Sequence, residues 1–320
     1  MSRRKPPAKD DTPTPKPRSR SHSAQFDHAD REPSDSAARS KRPALTPGLY
    51  LVATPIGNAR DISLRALDVL ASVDVIACED TRTTGRLLTI HGIAARMTPY
   101  HDHNAARARP SLIRRLDAGG TVALVSDAGT PLISDPGYKL VRAAIEADIA
   151  VTPIPGPAAP LAALAAAGLP TDRFFFLGFP PPRAAARKRM LAEVASVKAT
   201  LVMLEAPSRL VASLADMAAV LGRREAVIAR EITKRFESFR RGALADLADH
   251  YAETGPPKGE IVVVIGPPEP READPATLDA LLREALATHS LRDATAAVAA
   301  ATGTSRRKLY ARALALADDT

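Results

Sequence analysis

From residue 48 to residue 157 the chain repeats one unit: a short apolar run, an irregular loop containing Gly or Pro, then a segment with apolar residues at helical spacing. That alternation restricts the fold more than any other feature. Strand–loop–helix units of this length lay successive strands side by side, so the region reads as an α/β domain with a mostly parallel sheet. The apolar runs at 49–53, 73–78, 97–100, 121–125 and 150–154 are the predicted strands. Ser63 caps a predicted helix carrying Leu64, Leu67, Val69 and Leu70, and further helices run through Leu87 and Leu88, over 111–118 and over 138–147. Gly119-Gly120 supplies a stop signal for the helix at 111–118.

Residues 158–268 read as a second α/β domain, with strands at 174–179, 200–204, 225–230 and 261–265 and helices at 158–167, 184–197 and 210–221. Residues 267–275 form a proline-containing linker. The region 272–320 is helical, with patterns at 278–287, 294–301 and 306–316. The turn at 302–305 has the form of a helix-turn-helix joint. Arg306, Arg307 and Lys308 make the last helix basic, which suits either an RNA-binding module or a solvated helix packed on its neighbour. The expected domains are thus 1–46, 47–157, 158–268 and 272–320.

Of the net charge of +8, residues 1–46 carry five, from eleven Lys or Arg against six Asp or Glu. Rich in Pro and Ser and without an apolar period, this segment is expected to be a disordered basic tail. A basic balance suits a polyanionic partner such as RNA, and it equally reflects composition alone. Cys78 is the single cysteine, which excludes an intrachain disulfide and a cysteine-based zinc cluster and fits a cytoplasmic protein. The longest apolar stretch, 158–169, has 12 residues and contains Pro160, so no membrane partner is expected.

Polar and glycine residues fall where chemistry is expected. The loops at 54–58, 79–82, 126–131 and 155–157 all follow predicted strands, and ligands on open α/β sheets bind outside the carboxyl ends of strands. Four such loops on one edge point to a shared cleft. Singly, Gly57, Gly129 and Gly156 read as turn residues and no more. No Gly-x-Gly-x-x-Gly follows a strand and no Gly-Lys-Ser/Thr loop is present, which counts against nicotinamide, flavin and ATP chemistry.

Taken together, Leu51-Val52-Ala53-Thr54-Pro55-Ile56-Gly57-Asn58, Glu79-Asp80-Thr81-Arg82, His101-Asp102-His103-Asn104, the run from Val125-Ser126-Asp127-Ala128-Gly129-Thr130-Pro131 through Asp135-Pro136-Gly137, Pro155-Gly156-Pro157 and Lys258-Gly259-Glu260 resemble, in order and spacing, the ribosomal RNA small-subunit methyltransferase I family of the tetrapyrrole methylase superfamily. The resemblance covers about residues 48–316. It implies a bilobal tetrapyrrole-methylase-like α/β fold, two α/β domains with a cofactor cleft between them plus a small C-terminal helical domain, and a homodimer. It implies S-adenosylmethionine-dependent 2′-O-methylation of a cytidine in the decoding region of 16S rRNA, within the 30S subunit. Backbone groups of Ser126, Asp127, Ala128, Gly129 and Thr130 would then grip the methionine part. Ile133, Pro155, Gly156 and Pro157 would line the adenosine pocket, with Thr54, Pro55 and Gly57 from the first loop. Relatives often carry a hydroxyl where this chain has Ala206, which argues against a catalytic hydroxyl there; Glu205 and Arg209 are kept.

A ribose hydroxyl must lose its proton on attack, so a nearby base is needed. Asp80 and Glu79, at a strand end facing the expected cleft, are the first candidates. Lys258, Asp102, His101 and His103 are further ones. A purely structural Glu79–Arg82 ion pair is the competing reading. Arg82, His101, His103, Asn104, Glu205, Arg209, Arg306, Arg307 and Lys308 are candidate RNA contacts. His101-Asp102-His103 lacks a third strong ligand nearby, so no metal is expected. Two other functions fit parts of the pattern: methylation of a tetrapyrrole precursor in a similar cleft, and a non-catalytic RNA-binding role in ribosome assembly.

Overall fold

The computed structural model describes residues 44–134, 137–268 and 274–318. The expected tail falls outside these residues except for its last three, as do Asp135, Pro136 and most of the 267–275 linker.

Strands β1 (Gly48–Val52), β2 (Val75–Cys78), β3 (Met97–Pro99), β4 (Thr121–Val125) and β5 (Val151–Ile154) form one parallel sheet in the order β3-β2-β4-β1-β5. Helices α1 (Leu64–Ser72), α2 (Thr81–Ile90), α3 (Ala105–Asp117) and α4 (Tyr138–Glu146) connect them. Alternate residues serve two cores, as the strand period of two requires. Tyr50, Val52, Ile76 and Cys78 pack with Val69, Leu70 and Leu88, while Leu49, Val75, Ala77 and Leu124 pack with Leu112, Leu116 and Leu140. Ser63 caps α1, accepting from the Ala66 N–H at 3.1 Å.

Helix α3 starts at Ala105, six residues before the predicted start at 111, and holds Pro110 inside it. Proline removes one helical hydrogen bond there. Ala105, Leu112 and Leu116 lie on one buried stripe beside Tyr100, and that burial holds the extra turns in place.

In the second lobe, β6 (Phe174–Phe176), β7 (Thr200–Glu205), β8 (Glu225–Arg230), β9 (Ser238–Ala243) and β10 (Ile261–Ile265) stand in the order β6-β7-β10-β8-β9. Strand β6 pairs parallel with β7, whereas β10 is antiparallel to β7 and β8, and β9 to β8. Helix α5 (Ala159–Ala167) covers one face through Ala163 and Leu164. Helices α6 (Ala184–Val194), α7 (Leu210–Leu221) and α8 (Leu244–Thr254) cover the other through Leu191, Leu214 and Leu247. Buried Arg187 ties α6 to α7, donating from Nε to Asp216 at 2.8 Å and from Nη1 to the carbonyls of Pro181 and Pro182 at 3.2 Å.

Strand β9 and helix α8 have no counterpart in the sequence reading. Strand β9, Ser-Phe-Arg-Arg-Gly-Ala, is an outer strand whose charges blunt its free edge and hide its alternation. Helix α8 does carry the i, i+3, i+4, i+7 pattern at Leu244, Leu247, Ala248 and Tyr251.

Helices α9 (Pro275–Leu286), α10 (Leu291–Thr302) and α11 (Arg306–Asp318) enclose a small core of Leu278, Leu282, Val298, Leu309 and Ala313. Gly303, at φ 72°, ends α10 in a left-handed turn. Arg312 grips the Asp279 carboxylate and the Pro275 carbonyl, joining α11 to α9. No helix among the described residues is long and apolar enough to cross a membrane.

Candidate active site

All strands of the first sheet point the same way, so the loops after β1, β2, β4 and β5 emerge at one rim. Hydrogen bonds lock them to one another. Thr54 and Gly129 exchange backbone bonds, with the Thr54 N–H donating at 2.9 Å and the Gly129 N–H at 3.0 Å. Thr54 Oγ1 also donates to the Ser126 carbonyl at 3.1 Å. Thr130 Oγ1 reaches the Pro157 carbonyl at 3.0 Å, and the Asp80 N–H donates to Asp127 Oδ1 at 3.0 Å. Gly129, at φ 85°, and Gly156 permit this closeness: a Cβ at 129 would stand 3.3 Å from Ile56 Cγ2, and one at 156 would stand 2.9 Å from the Ala53 Cβ. Leu132 (φ 72°) and Ser134 (φ 66°) are left-handed without being glycine, strain that a functional loop stores.

The facing wall comes from the second lobe. Because β10 runs against β7 and β8, its amino end meets their carboxyl ends, with Ile261 opposite both Glu205 and Arg230. Lys234 Nζ bonds Glu231 Oε1 at 2.9 Å and Glu260 Oε2 at 3.2 Å. Burial works to lower the Lys234 ammonium, but these two bonds outweigh it and hold its pKa up. Glu231 is held below the usual range, chiefly by the Glu260 N–H and by Lys234. The lobes meet where the Asn58 N–H donates to Thr233 Oγ1 at 3.2 Å and Gly57 leaves room for the Lys234 stem.

Between the walls lies a cleft of about 660 Å³. Of the residues singled out in the sequence, Asp127, Ala128, Gly129, Thr130, Ile133 and Glu205 line it. Thr54 and Ser126 are buried beneath and act as framework; Gly156 packs on Ala53 and the Pro157 carbonyl accepts from Thr130, and none of Pro155, Gly156 and Pro157 lines the cleft. Pro55 and Gly57 do not line it, and neither does exposed Lys258, whose carbonyl is taken by Arg230 Nε. Phe179, Ala206, Glu231, Lys234 and Glu260 line the cleft without having been singled out as site residues. Glu231, Lys234 and Glu260 lay at the ends of predicted strands, and the rim rule applied to an antiparallel sheet would have found them.

The titratable groups divide sharply. Asp80 caps α2 through the Arg82 N–H at 2.8 Å and pairs with the Arg82 guanidinium at 2.7 Å, which pulls its pKa down to about 2. The ion pair thus involves Asp80, not Glu79. Glu79 is half-buried, and burial, reinforced by Asp127 and Asp102, pushes its carboxyl above the usual range. His101 has a buried Nδ1 without a partner among the described residues, and its ring lies 6.0 Å from that of His103. Asn104 is engaged within its own loop, accepting from the His101 N–H at 2.9 Å and donating to the Pro99 carbonyl at 3.0 Å. Glu205, 2% exposed, is fully tied by Arg209, Ser213 and the Ala206 N–H. Arg306, Arg307 and Lys308 lie exposed along the first turn of α11.

The chain matches the family model described as Tetrapyrrole (Corrin/Porphyrin) Methylases over residues 48–248, and the one described as RsmI C-terminal HTH domain over residues 272–317. It is 53% identical to a ribosomal RNA small subunit methyltransferase I of Mesorhizobium japonicum, over 86% of this chain and 94% of the relative. The protein of the same name from Escherichia coli O157:H7 is 46% identical, over 83% of this chain and 94% of the relative. Among solved structures, a cobalt precorrin-4 methyltransferase of cobalamin biosynthesis superposes with a TM-score of 0.51 at 18% identity, covering 68% of this chain and 94% of that one. A uroporphyrin-III C-methyl transferase from Thermus thermophilus, complexed with S-adenyl homocysteine, gives 0.50 at 19% identity, covering 68% and 97%. At such identities these two structures show a shared fold.

Proposed function

The chain belongs to the ribosomal RNA small subunit methyltransferase I family, and on that premise we propose that it methylates the ribose 2′-hydroxyl of a cytidine in the decoding region of 16S rRNA. The observation that carries the reading is the convergence of four sequence-distant loops on one rim, where the loops at 54–58 and 126–131 line a cleft facing a second, charged lobe and those at 79–82 and 155–157 bond to them. Its volume and its mixture of apolar and acidic lining suit a nucleoside-containing cation such as S-adenosylmethionine. Bound there, that cofactor supplies an electrophilic methyl group.

The residues divide the remaining work. Backbone groups of Ala128 and Thr130, with the Asp127 carboxylate, hold the charged methionine end, and Gly129, its own backbone bonded to Thr54, keeps the loop in place. Ile133, Phe179 and Ile232 provide the apolar surface for the base. Glu79, with its raised carboxyl beside Asp127, receives the 2′-hydroxyl proton. Asp80 fits that role poorly, since a carboxylate held near 2 by Arg82 is a weak base. Arg82, whose side chain is 87% exposed, and the basic turn of Arg306, Arg307 and Lys308 contact RNA phosphates. The same reading carries a homodimer, for which Phe174 and Phe175, each 44% exposed on outer strand β6, offer apolar surface.

The test uses S-adenosylmethionine with a labelled methyl group and 30S subunits from cells lacking the gene. Label is expected at one cytidine, in a dinucleotide that resists alkali because its 2′-oxygen is blocked. Label on a base, label only on a tetrapyrrole precursor supplied in parallel, or no transfer to RNA at all would overturn the proposal.

A further inference from the structure

A second concavity of about 600 Å³ opens between outer strand β9 and helix α8. Arg230, Arg240, Arg241, His250 and Tyr251 line it, and no carboxylate does. None of the three arginines forms an ion pair among the described residues. Two are fixed by neutral carbonyls. Arg241 turns its guanidinium to the opposite, α5 face of the sheet, donating to Ala167 at 3.1 Å and Ala166 at 2.6 Å and lying 5.5 Å from the Phe239 ring centre, so it borders the groove without pointing its charge into it. Arg230 donates to the carbonyls of Lys258 and, at 3.3 Å, Phe236. Arg240 is exposed and reaches Tyr251, whose phenol is raised by burial and drawn back by the Arg240 charge and hydrogen bond. Carbonyls orient a guanidinium without neutralising it, so the groove keeps its positive charge in a partly enclosed space, where an anion is favoured.

The groove adjoins the active-site cleft. Arg230 immediately precedes Glu231, Lys258 immediately precedes Gly259, and Glu231 and Gly259 both line the cleft. The Arg230–Lys258 bond closes the wall between the two spaces.

We propose that this groove seats a backbone phosphodiester of the RNA strand next to the methylated nucleotide, with Arg240 as its adaptable contact and Arg230 as a fixed positive charge. The inference rests on the RNA-methylating reading above and adds to it a phosphate site on the second lobe. Bidentate guanidinium donors and a neighbouring aromatic ring suit an RNA backbone better than a compact free anion.

Binding of full-length protein to 30S subunits is measured from about 50 to 200 mM salt for the wild type, Arg240→Gln, Arg240→Glu and, as a control, Lys198→Gln, an exposed cation at the opposite, amino end of β7. Arg240→Gln is expected to weaken binding about three- to tenfold and to flatten the log–log salt slope by about 0.7, one single-strand phosphate contact. Arg240→Glu should weaken it further. KM for 30S subunits should rise more than kcat falls, and wild-type affinity for S-adenosylmethionine verifies that the variants are folded. The groove is ruled out if both Arg240 variants bind with wild-type affinity and slope, or if Lys198→Gln produces the same loss. Normal methylation with Arg240-independent binding sinks the groove alone. Arg240-dependent binding without methylation sinks the activity and leaves the groove.

Discussion

The two lobes build opposite walls of one cleft by opposite means. In the first, every strand is parallel, so every carboxyl end lies at the same rim and the wall is made of interlocked loop backbone from Thr54, Gly129 and Pro157. In the second, the rim mixes the carboxyl ends of β7 and β8 with the amino end of β10, and the wall presents side-chain charges: Glu231, Lys234 and Glu260. A parallel sheet collects loops of one polarity and serves to grip a ligand through N–H and C=O groups. An antiparallel sheet gathers charged residues at both kinds of strand end, here with carboxylates in excess, suiting a wall that faces a positively charged ligand.

If the chemistry belongs to the parallel lobe, Glu79→Gln should have the largest effect, lowering kcat by about a thousandfold. Its carboxyl is raised and works when deprotonated, so wild-type kcat should climb with pH through that raised value and then level off, and the variant should lose this limb. Wild-type turnover in Glu79→Gln would move the base elsewhere. Asp216→Asn tests the other lobe's scaffold, because it strands the buried Arg187 guanidinium. It should cost about 3 kcal/mol of stability by denaturant unfolding. Retained stability would mean that Lys188 and the proline carbonyls rearrange enough to compensate.

Gly129→Val places a branched side chain at φ 85° against Ile56. S-adenosylmethionine binding should weaken about thirtyfold by calorimetry, the equivalent of about 2 kcal/mol of strain. Unchanged binding would separate that loop from the cofactor. Asp80→Asn is expected to act least on turnover. Its signature is in acid stability: the folded pKa lies near 2 against an ordinary 3.8, so Asp80 contributes fully above 3.8 and loses its contribution as pH falls through about 2. The variant should therefore show a shallower loss of stability across that window, and a large fall in kcat instead would restore Asp80 as the base.

The same contrast explains what was legible in the sequence. Parallel strands buried on both faces are continuous apolar runs, such as Thr-Val-Ala-Leu-Val at β4, and each is followed by its functional loop. The rim of the first lobe could therefore be read directly. Strand β9 has no apolar run because its edge is charged, and Pro110 mimics a helix boundary that tertiary packing overrides. Glu231, and a site role for the Glu260 of the Lys258-Gly259-Glu260 motif, are hidden for a topological reason, since the two share a rim solely because β10 runs backwards relative to β8. The Asp80–Arg82 pairing depends on side-chain direction at the first turn of α2, which spacing does not encode.

Where the methyl donor sits decides between a cleft that works and one that does not. A crystal structure of the protein with S-adenosylhomocysteine should show the ligand between Asp127–Gly129–Ile133 on one side and Ile232–Gly259–Val262 on the other, with its sulfur directed toward Glu79. Ligand bound outside that space, or touching one lobe alone, would contradict this placement.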